Sequence, residues 1–377
     1  MRQIFSQMLW VALSTTATVA GAALVSPVLA ATFVYVGNAE SNDIYVLQLN
    51  RQTGELTLVE KVPIPGVTKS GMSTPIAASP DRRLLFVATR GEPQSVATFA
   101  IDPTSGKLKF IGSGPLTDSM PFIAADRTGH FLFAASYPGH KLTVSSIGTN
   151  GVIGPTQQVL ENHKNAHSIL ADAKNRYVLA ATLGDDLINV FKFDTKTGKL
   201  EPHAPPSVSV PPVSLNAKAG PRHFVFHPKG KLVYVLGELD GAVHVFDYDP
   251  RKGQLKAKQS VGALPAGVTG RIAAADLHIT PDGKFLYASD RTTNTLTGFK
   301  VSGADGTLTL IENIPTEAMP RSFSIDSSGR YLFVVGMRSH RMSSYRIEPG
   351  SGKLIKLKEY AMGKIPNWVE IVDLPSR

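Results

Sequence analysis

A sevenfold internal repeat constrains this chain more than any other feature. Glycines recur at positions 54, 106, 151, 198, 253, 306 and 352, spaced by roughly 45–55 residues. Five of them share one context: Asn50 to Leu56, Asp102 to Leu108, Asp194 to Leu200, Asp249 to Leu255 and Glu348 to Leu354. An acidic or amide side chain opens each turn, and glycine supplies the positive φ of a tight hairpin. Near-continuous apolar runs begin at Phe33, Leu84, Phe131, Tyr177, Leu232, Phe285 and Tyr331, the pattern of strands buried on both faces. More alternating runs follow at Asp43, Ser95, Lys141, Leu187, Ala242, Thr295 and Arg341. A further set precedes the apolar runs, starting at Thr74, Pro121, His167, Arg222, Ala275 and Arg321, and has six members. The missing one is at the C-terminus, Asn367 to Ile371. The chain thus begins one strand into a unit and ends by supplying that unit's first strand, which closes a ring and protects sheet edges. Two separate sandwiches would not give seven phases with one offset. The predicted fold is all-β: a seven-bladed β-propeller in which the N- and C-terminal strands close one blade.

Residues 1–30 read as a removable signal peptide and residues 31–377 as one propeller domain. Arg2 is the one charge in Met1 to Gln7, Met8 to Val25 is uncharged, and Pro27-Val28-Leu29-Ala30-Ala31 is a small-residue cleavage signal with the cut expected after Ala30. The alternative, an uncleaved anchor, is disfavoured by the Ser, Thr and Gly interruptions and by the lack of a basic stop-transfer cluster. A periplasmic or secreted protein is expected, with no stable membrane insertion after cleavage. The absence of cysteine excludes a thiol nucleophile and thiolate metal sites. It leaves an exported chain to be held by its core alone. The formal charge is +9, or +8 without Arg2. It is scattered over predicted turns with no block of like charge, which argues against nucleic acid as a partner.

In a propeller the first strand of each blade lines the central channel, and its entry loop opens on the same face as the loop after the second strand. Aligned repeats put Thr74, Pro121, His167, Arg222, Ala275, Arg321 and Trp368 at the start of strand one. Ala39, Arg90, Tyr137, Leu183, Glu238, Arg291 and Met337 fall at the end of strand two, with His223, Asp276, Asp290, Arg338 and His340 beside them. Arginines therefore converge on one mouth with a histidine and a glutamate. For any single arginine the plainer reading is an inter-blade ion pair, for which Asp290 beside Arg291 and Asp276 near Arg271 are candidates. Jointly they imply anion recognition, since guanidinium groups grip carboxylate or phosphate bidentately. The same donors could stabilise a tetrahedral oxyanion; His167 and Glu238 are the main candidates for a base that activates water. His223 is a weaker candidate for that base: adjacent to Arg222, it should point to the opposite face by strand alternation and serve as a satisfied structural histidine. A calcium site is disfavoured because the mouth is poor in acids, so no metal or other cofactor is expected. Phosphate-cradling glycine loops and the Gly-x-Ser-x-Gly elbow are missing.

Several of these segments resemble the bacterial propeller-type 6-phosphogluconolactonases, a family that also contains the fungal carboxy-muconate lactonising enzymes. They are Gly220 to Pro228, Ala274 to Gly283, Ala288 to Thr292, Pro320 to Phe323 and Ser339-His340, in the family's blade order from about Thr32 onward. The resemblance implies a cofactor-free lactonase site in the channel mouth with His167, Arg222, Glu238 and Arg291 as the catalytic set. It implies Arg90, Arg271 and Arg321 as basic positions for the substrate's anionic group, and His223, Asp276, Arg338 and His340 are grouped with them as substrate-binding. The expected partner is a small anionic lactone. An export signal departs from the family, whose sugar-phosphate lactone is cytoplasmic, and puts the phosphate in doubt. Insertions near Pro205 to Pro221 and Gly262 to Gly270 are placed to reshape the mouth. A muconate-type cycloisomerase and a non-catalytic binding propeller are the alternative functions.

Overall fold

Strands that are apolar on both faces need a neighbouring layer on each side, and here each sheet supplies it to the next around a ring. In the computed structural model, which describes residues 31–213 and 218–374, seven four-stranded antiparallel sheets form the blades of a propeller. The reading of residues 1–30 as a cleavable segment falls outside the described residues. Blade 1 combines the last strand, Pro366–Asp373, with Thr32–Asn38, Asp43–Leu49 and Leu56–Pro63. Blades 2 to 7 follow in chain order, with inner strands Ile76–Ala78, Phe122–Ala125, Ala166–Ala171, Pro221–Phe226, Ala274–Ile279 and Pro320–Ile325. Closure is as predicted: Thr32 pairs with Asp373 and Gly37 with Trp368 across the two ends of the chain.

The core lies between blades rather than within them. Seven apolar clusters fill the seven blade interfaces, one of them joining Phe33 and Tyr35 of blade 1 to Leu85 and Phe99 of blade 2. The repeat glycines take part in this packing. All seven have positive φ, and a Cβ on each would strike the residue that begins the apolar run of the second strand of the preceding blade. At Gly106 the clash would be with the Phe33 ring at 2.4 Å, and at Gly352 with Phe285 at 2.3 Å. The same turns receive hydrogen bonds from buried tyrosines of the preceding blade: Tyr35, Tyr234 and Tyr287 donate to the carbonyls of Gly106, Gly306 and Gly352 at 2.9, 2.9 and 2.6 Å. Glycine is thus required twice, for hairpin geometry and for a seat into which the neighbouring blade fits.

The inner strands begin irregularly, and this positions the site. In blade 4 Ala166 pairs with Thr182 and Ser168 with Ala181, leaving His167 as an extra residue. Arg222 is the extra residue between Pro221 and His223 in blade 5, and Arg321 that between Pro320 and Ser322 in blade 7. Ala275 and Asp276 lie within the equivalent irregularity of blade 6. In blade 1 the extra residue is Asn367, because Gly37 pairs with Trp368 and Asn38 with Pro366. The position equivalent to His167, Arg222 and Arg321 is therefore Asn367, one residue before the predicted Trp368. A bulge of this kind bends the strand and re-aims the extra side chain.

Candidate active site at the channel mouth

Bulges throw His167, Arg222 and Arg321 out of the strand ladder, while the turns after the second strands deliver Arg90, Tyr137, Glu238 and Arg291. Glu238 is held by its backbone, which donates to Gly220 O at 2.8 Å and accepts from Ala274 N of the next blade at 3.2 Å. Its carboxylate bridges two blades: Oε2 lies 2.9 Å from Arg222 Nε and Oε1 lies 2.9 Å from Arg291 Nη2. Burial would raise this carboxyl, but the Arg222 and Arg291 guanidiniums outweigh it and hold Glu238 below its ordinary value. Arg291 is further braced on the carbonyl of Ala273 (3.0 Å) and that of Ala274 (3.4 Å). Arg222, only 1% exposed, also donates through Nη1 to the Ala275 carbonyl. Burial first, and then Arg291, push its pKa down to about 10, which leaves it charged at neutral pH.

Arg321 has no such brace. It is 8% exposed, its Nε is buried without a hydrogen-bond partner, and among the described residues no ion pair reaches it. Burial, followed by the charges of Arg222, Arg291 and Arg90, disfavours its cation, and Glu238 opposes them only through space. A guanidinium is too basic to give up its proton in such a place, so the cost remains until an anion arrives. Arg90 is held by neutral groups, Ser119 Oγ at 2.9 Å and Ser73 Oγ at 3.4 Å. His167 is buried with Nδ1 unpartnered. Burial first, then Arg222, His223, Arg321 and Arg90, keep its imidazole neutral far below the ordinary histidine range. Tyr137 packs edge-on against His167 at 6.0 Å, and its hydroxyl pKa is raised by burial and by Glu238.

Other predicted positions fall elsewhere. His223 was expected on the opposite face. Instead the bulge at Arg222 breaks the alternation, and His223 Nε2 lies 3.2 Å from Arg222 Nη1 while Nδ1 lies 2.7 Å from Asp276 Oδ1. Both ring nitrogens are engaged, leaving none for a substrate. Asp276 pairs with His223 and His278, not with Arg271. Asp290 does not pair with Arg291: it caps its own turn, accepting the amides of Thr292, Thr293 and Ala273. Arg271 and Arg338 are exposed on loops. His340 is also exposed, with positive φ, and its Nδ1 accepts the Ile365 amide at 3.0 Å, as His140 accepts that of Asn165 at 3.0 Å. This is loop bracing repeated in two blades and needs no substrate. The sequence reading missed Ser73 and Ser119, which orient Arg90, and Asn367, whose Oδ1 accepts the Thr74 amide at 2.7 Å.

The comparisons with known proteins agree with the fold. The family model described as "Lactonase, 7-bladed beta-propeller" matches residues 33–371. The 6-phosphogluconolactonases of Pectobacterium carotovorum subsp. carotovorum and Erwinia tasmaniensis are 39% and 40% identical over 341 residues, covering 90% of this chain and 98% of each relative. The solved structure of the Pseudomonas aeruginosa periplasmic gluconolactonase is similar with a TM-score of 0.82 at 26% identity, covering 92% of this chain and all of that one. The chain therefore belongs to the seven-bladed β-propeller lactonase family.

Proposed function

We propose that this lactonase hydrolyses a sugar-derived lactone at the guanidinium cluster, with Arg321 and Arg90 receiving the negative or oxygen-rich part of the substrate. The observation that carries the reading is Arg321: a buried, unpartnered guanidinium among other cations is a site short of an anion. Arg222 and Arg291 each keep one amino group beyond those spent on Glu238 and on backbone carbonyls. They can stabilise the oxyanion that forms when water attacks the lactone carbonyl.

Electrostatics favours Glu238 over His167 as the base. Proton uptake by Glu238 yields a neutral acid, whereas proton uptake by His167 adds a cation next to Arg222, Arg321 and Arg90. Glu238 also remains 17% exposed at its side chain, and a carboxylate has lone pairs to spare after two ion pairs. His167 then serves as a neutral hydrogen-bonding group. The same cluster of guanidiniums would repel a divalent cation, which supports a mechanism without metal. The leader-like residues 1–30 and the similarity to a periplasmic gluconolactonase support an extracytoplasmic location and a substrate without phosphate.

The test is pH-stat hydrolysis of aldonolactones with and without a phosphate, in the presence and absence of chelator. Glu238→Gln is expected to lower kcat by roughly 10²–10⁴-fold, and Arg321→Met to raise KM. Chelator should have no effect. Full activity in Glu238→Gln, or loss of activity in chelator, would overturn the mechanism.

A further inference from the structure

Behind the arginine–glutamate pair lies a second, buried network. Arg222 Nη1 meets His223 Nε2 at 3.2 Å. A guanidinium only donates, so Nε2 is the bare, accepting nitrogen and the imidazole proton sits on Nδ1. From there it is donated to Asp276 Oδ1 at 2.7 Å. Asp276 is itself fixed: Oδ1 accepts the Leu277 amide at 3.0 Å, and Oδ2 accepts the Phe323 amide of blade 7 at 3.1 Å. His278 Nε2 lies 3.4 Å from Oδ2. The His223 ring is wedged edge-on against Phe122, His167 and Trp368, at 5.3, 5.2 and 6.2 Å. Asp276, His223 and His278 also border an axial cavity of about 290 Å³ that Glu370 and Arg127 help to line. The chain of contacts thus runs from that cavity to the reacting carboxylate, in the order His278, Asp276, His223, Arg222, Glu238.

Only one protonation state of His223 is compatible with this chain. An imidazolium would set an Nε2–H against the Arg222 N–H and push the guanidinium off Glu238. Burial first, and then the charge of Arg222, hold the His223 pKa down to about 4, with Asp276 opposing. The groups facing His223 are Asp276, Arg222, His167 and Arg321. Of these Asp276 is the one that accepts the Nδ1 proton, and so selects the tautomer.

We propose that Asp276 and His223 are the positioning residues of the lactonase site, fixing one imidazole tautomer whose bare Nε2 holds Arg222 and, through it, Glu238. The proposal rests on the assignment of Glu238 as the water-activating group. Neither residue touches substrate, so their loss should lower kcat and leave KM nearly unchanged, in contrast to Arg321→Met.

The experiment compares His223→Leu, His223→Gln and Asp276→Asn with Glu238→Gln on D-glucono-lactone, and reads the His223 tautomer from ¹⁵N shifts of histidine-labelled wild type, assigned by difference with His223→Gln. Leucine removes the acceptor for Arg222, whereas the Gln carbonyl replaces it at similar reach. The expected result is an Nδ1–H tautomer between pH 6 and 8, and kcat lowered roughly 10- to 100-fold in His223→Leu and Asp276→Asn. KM should stay within about twofold, and Gln should recover most of the loss. An Nε2–H tautomer, or wild-type kcat in His223→Leu, would overturn the proposal while Glu238 keeps its role. If the Leu variant does not fold, the Gln variant decides: a kcat as low as that of Glu238→Gln overturns it. Full activity in Glu238→Gln removes the underlying assignment instead.

Discussion

Replacing Glu370 by Gln should stabilise the propeller, and only above a particular pH. Glu370 lies on the closing strand, paired with Tyr35, and lines the axial cavity opposite His278. Burial raises its carboxyl from the ordinary 4.5 to about 7, against the opposing pull of the Ala78 amide and of His278. The folded protein therefore holds a proton that the unfolded chain releases, and between those two values folding takes up a proton. Stability falls as pH rises through that window and levels off above about 7. At about 1.4 kcal/mol per tenfold, the gap has a ceiling of roughly 3 kcal/mol, which water in the cavity trims to about 1–3 kcal/mol. Gln does not titrate. Losing the Glu370 charge removes one attraction that keeps His278 protonated, but Asp276, the larger one, remains. The sign of the gain is unchanged. Scanning calorimetry should find the variant and wild type within about 0.5 °C at pH 4, and the variant higher by roughly 1–4 °C at pH 8. A pH-independent difference, or a variant that melts lower at pH 8, would refute the reasoning.

Three further outcomes follow from the geometry. Saturating gluconate at about a hundred times its Kd should raise the stability of wild type by roughly 2.7 kcal/mol, and Arg321→Met should abolish the shift; thermal melts with and without ligand decide this. Tyr287→Phe removes the donor to the buried Gly352 carbonyl and should cost about 1–3 kcal/mol in urea unfolding with unchanged kcat. Gly106→Ala combines a positive φ with a Cβ 2.4 Å from the Phe33 ring and should destabilise by more than about 1 kcal/mol, seen as a lowered denaturation midpoint.

The ring itself was legible because a propeller repeats its chemistry. The alternating runs begin at the predicted Asp43, Ser95, Lys141, Leu187, Ala242, Thr295 and Arg341, since each hairpin and each apolar run is a local signal. Gathering Arg90, His167, Arg222, Glu238, Arg291 and Arg321 at one mouth required only the repeat phase. The bulges escaped because the alternation rule assumes an unbroken ladder: one extra residue at Arg222 brings His223 beside it, and one at Asn367 moves Trp368 out of the ring position. The pairing of Glu238 with both Arg222 and Arg291 is also invisible in sequence, because those residues come from two sheets and lie far apart in the chain. His340 misled for the opposite reason. A histidine beside a candidate site reads as chemistry, whereas its backbone conformation and its bond to Ile365 mark it as a strut.

Among the described residues, blade 1 is the one sheet stitched from the first and the last strands. A nascent chain that has delivered everything up to Ala361 owns every arginine of the cluster, yet no hoop to hold them at a common radius. Docking of Pro366–Asp373 is the latch, and it carries Asn367 and Trp368 into the centre as it closes. The arginine cluster therefore depends on the completion of blade 1 rather than growing blade by blade. The same latch marks where the molecule divides most naturally into a large body and a short complementing peptide.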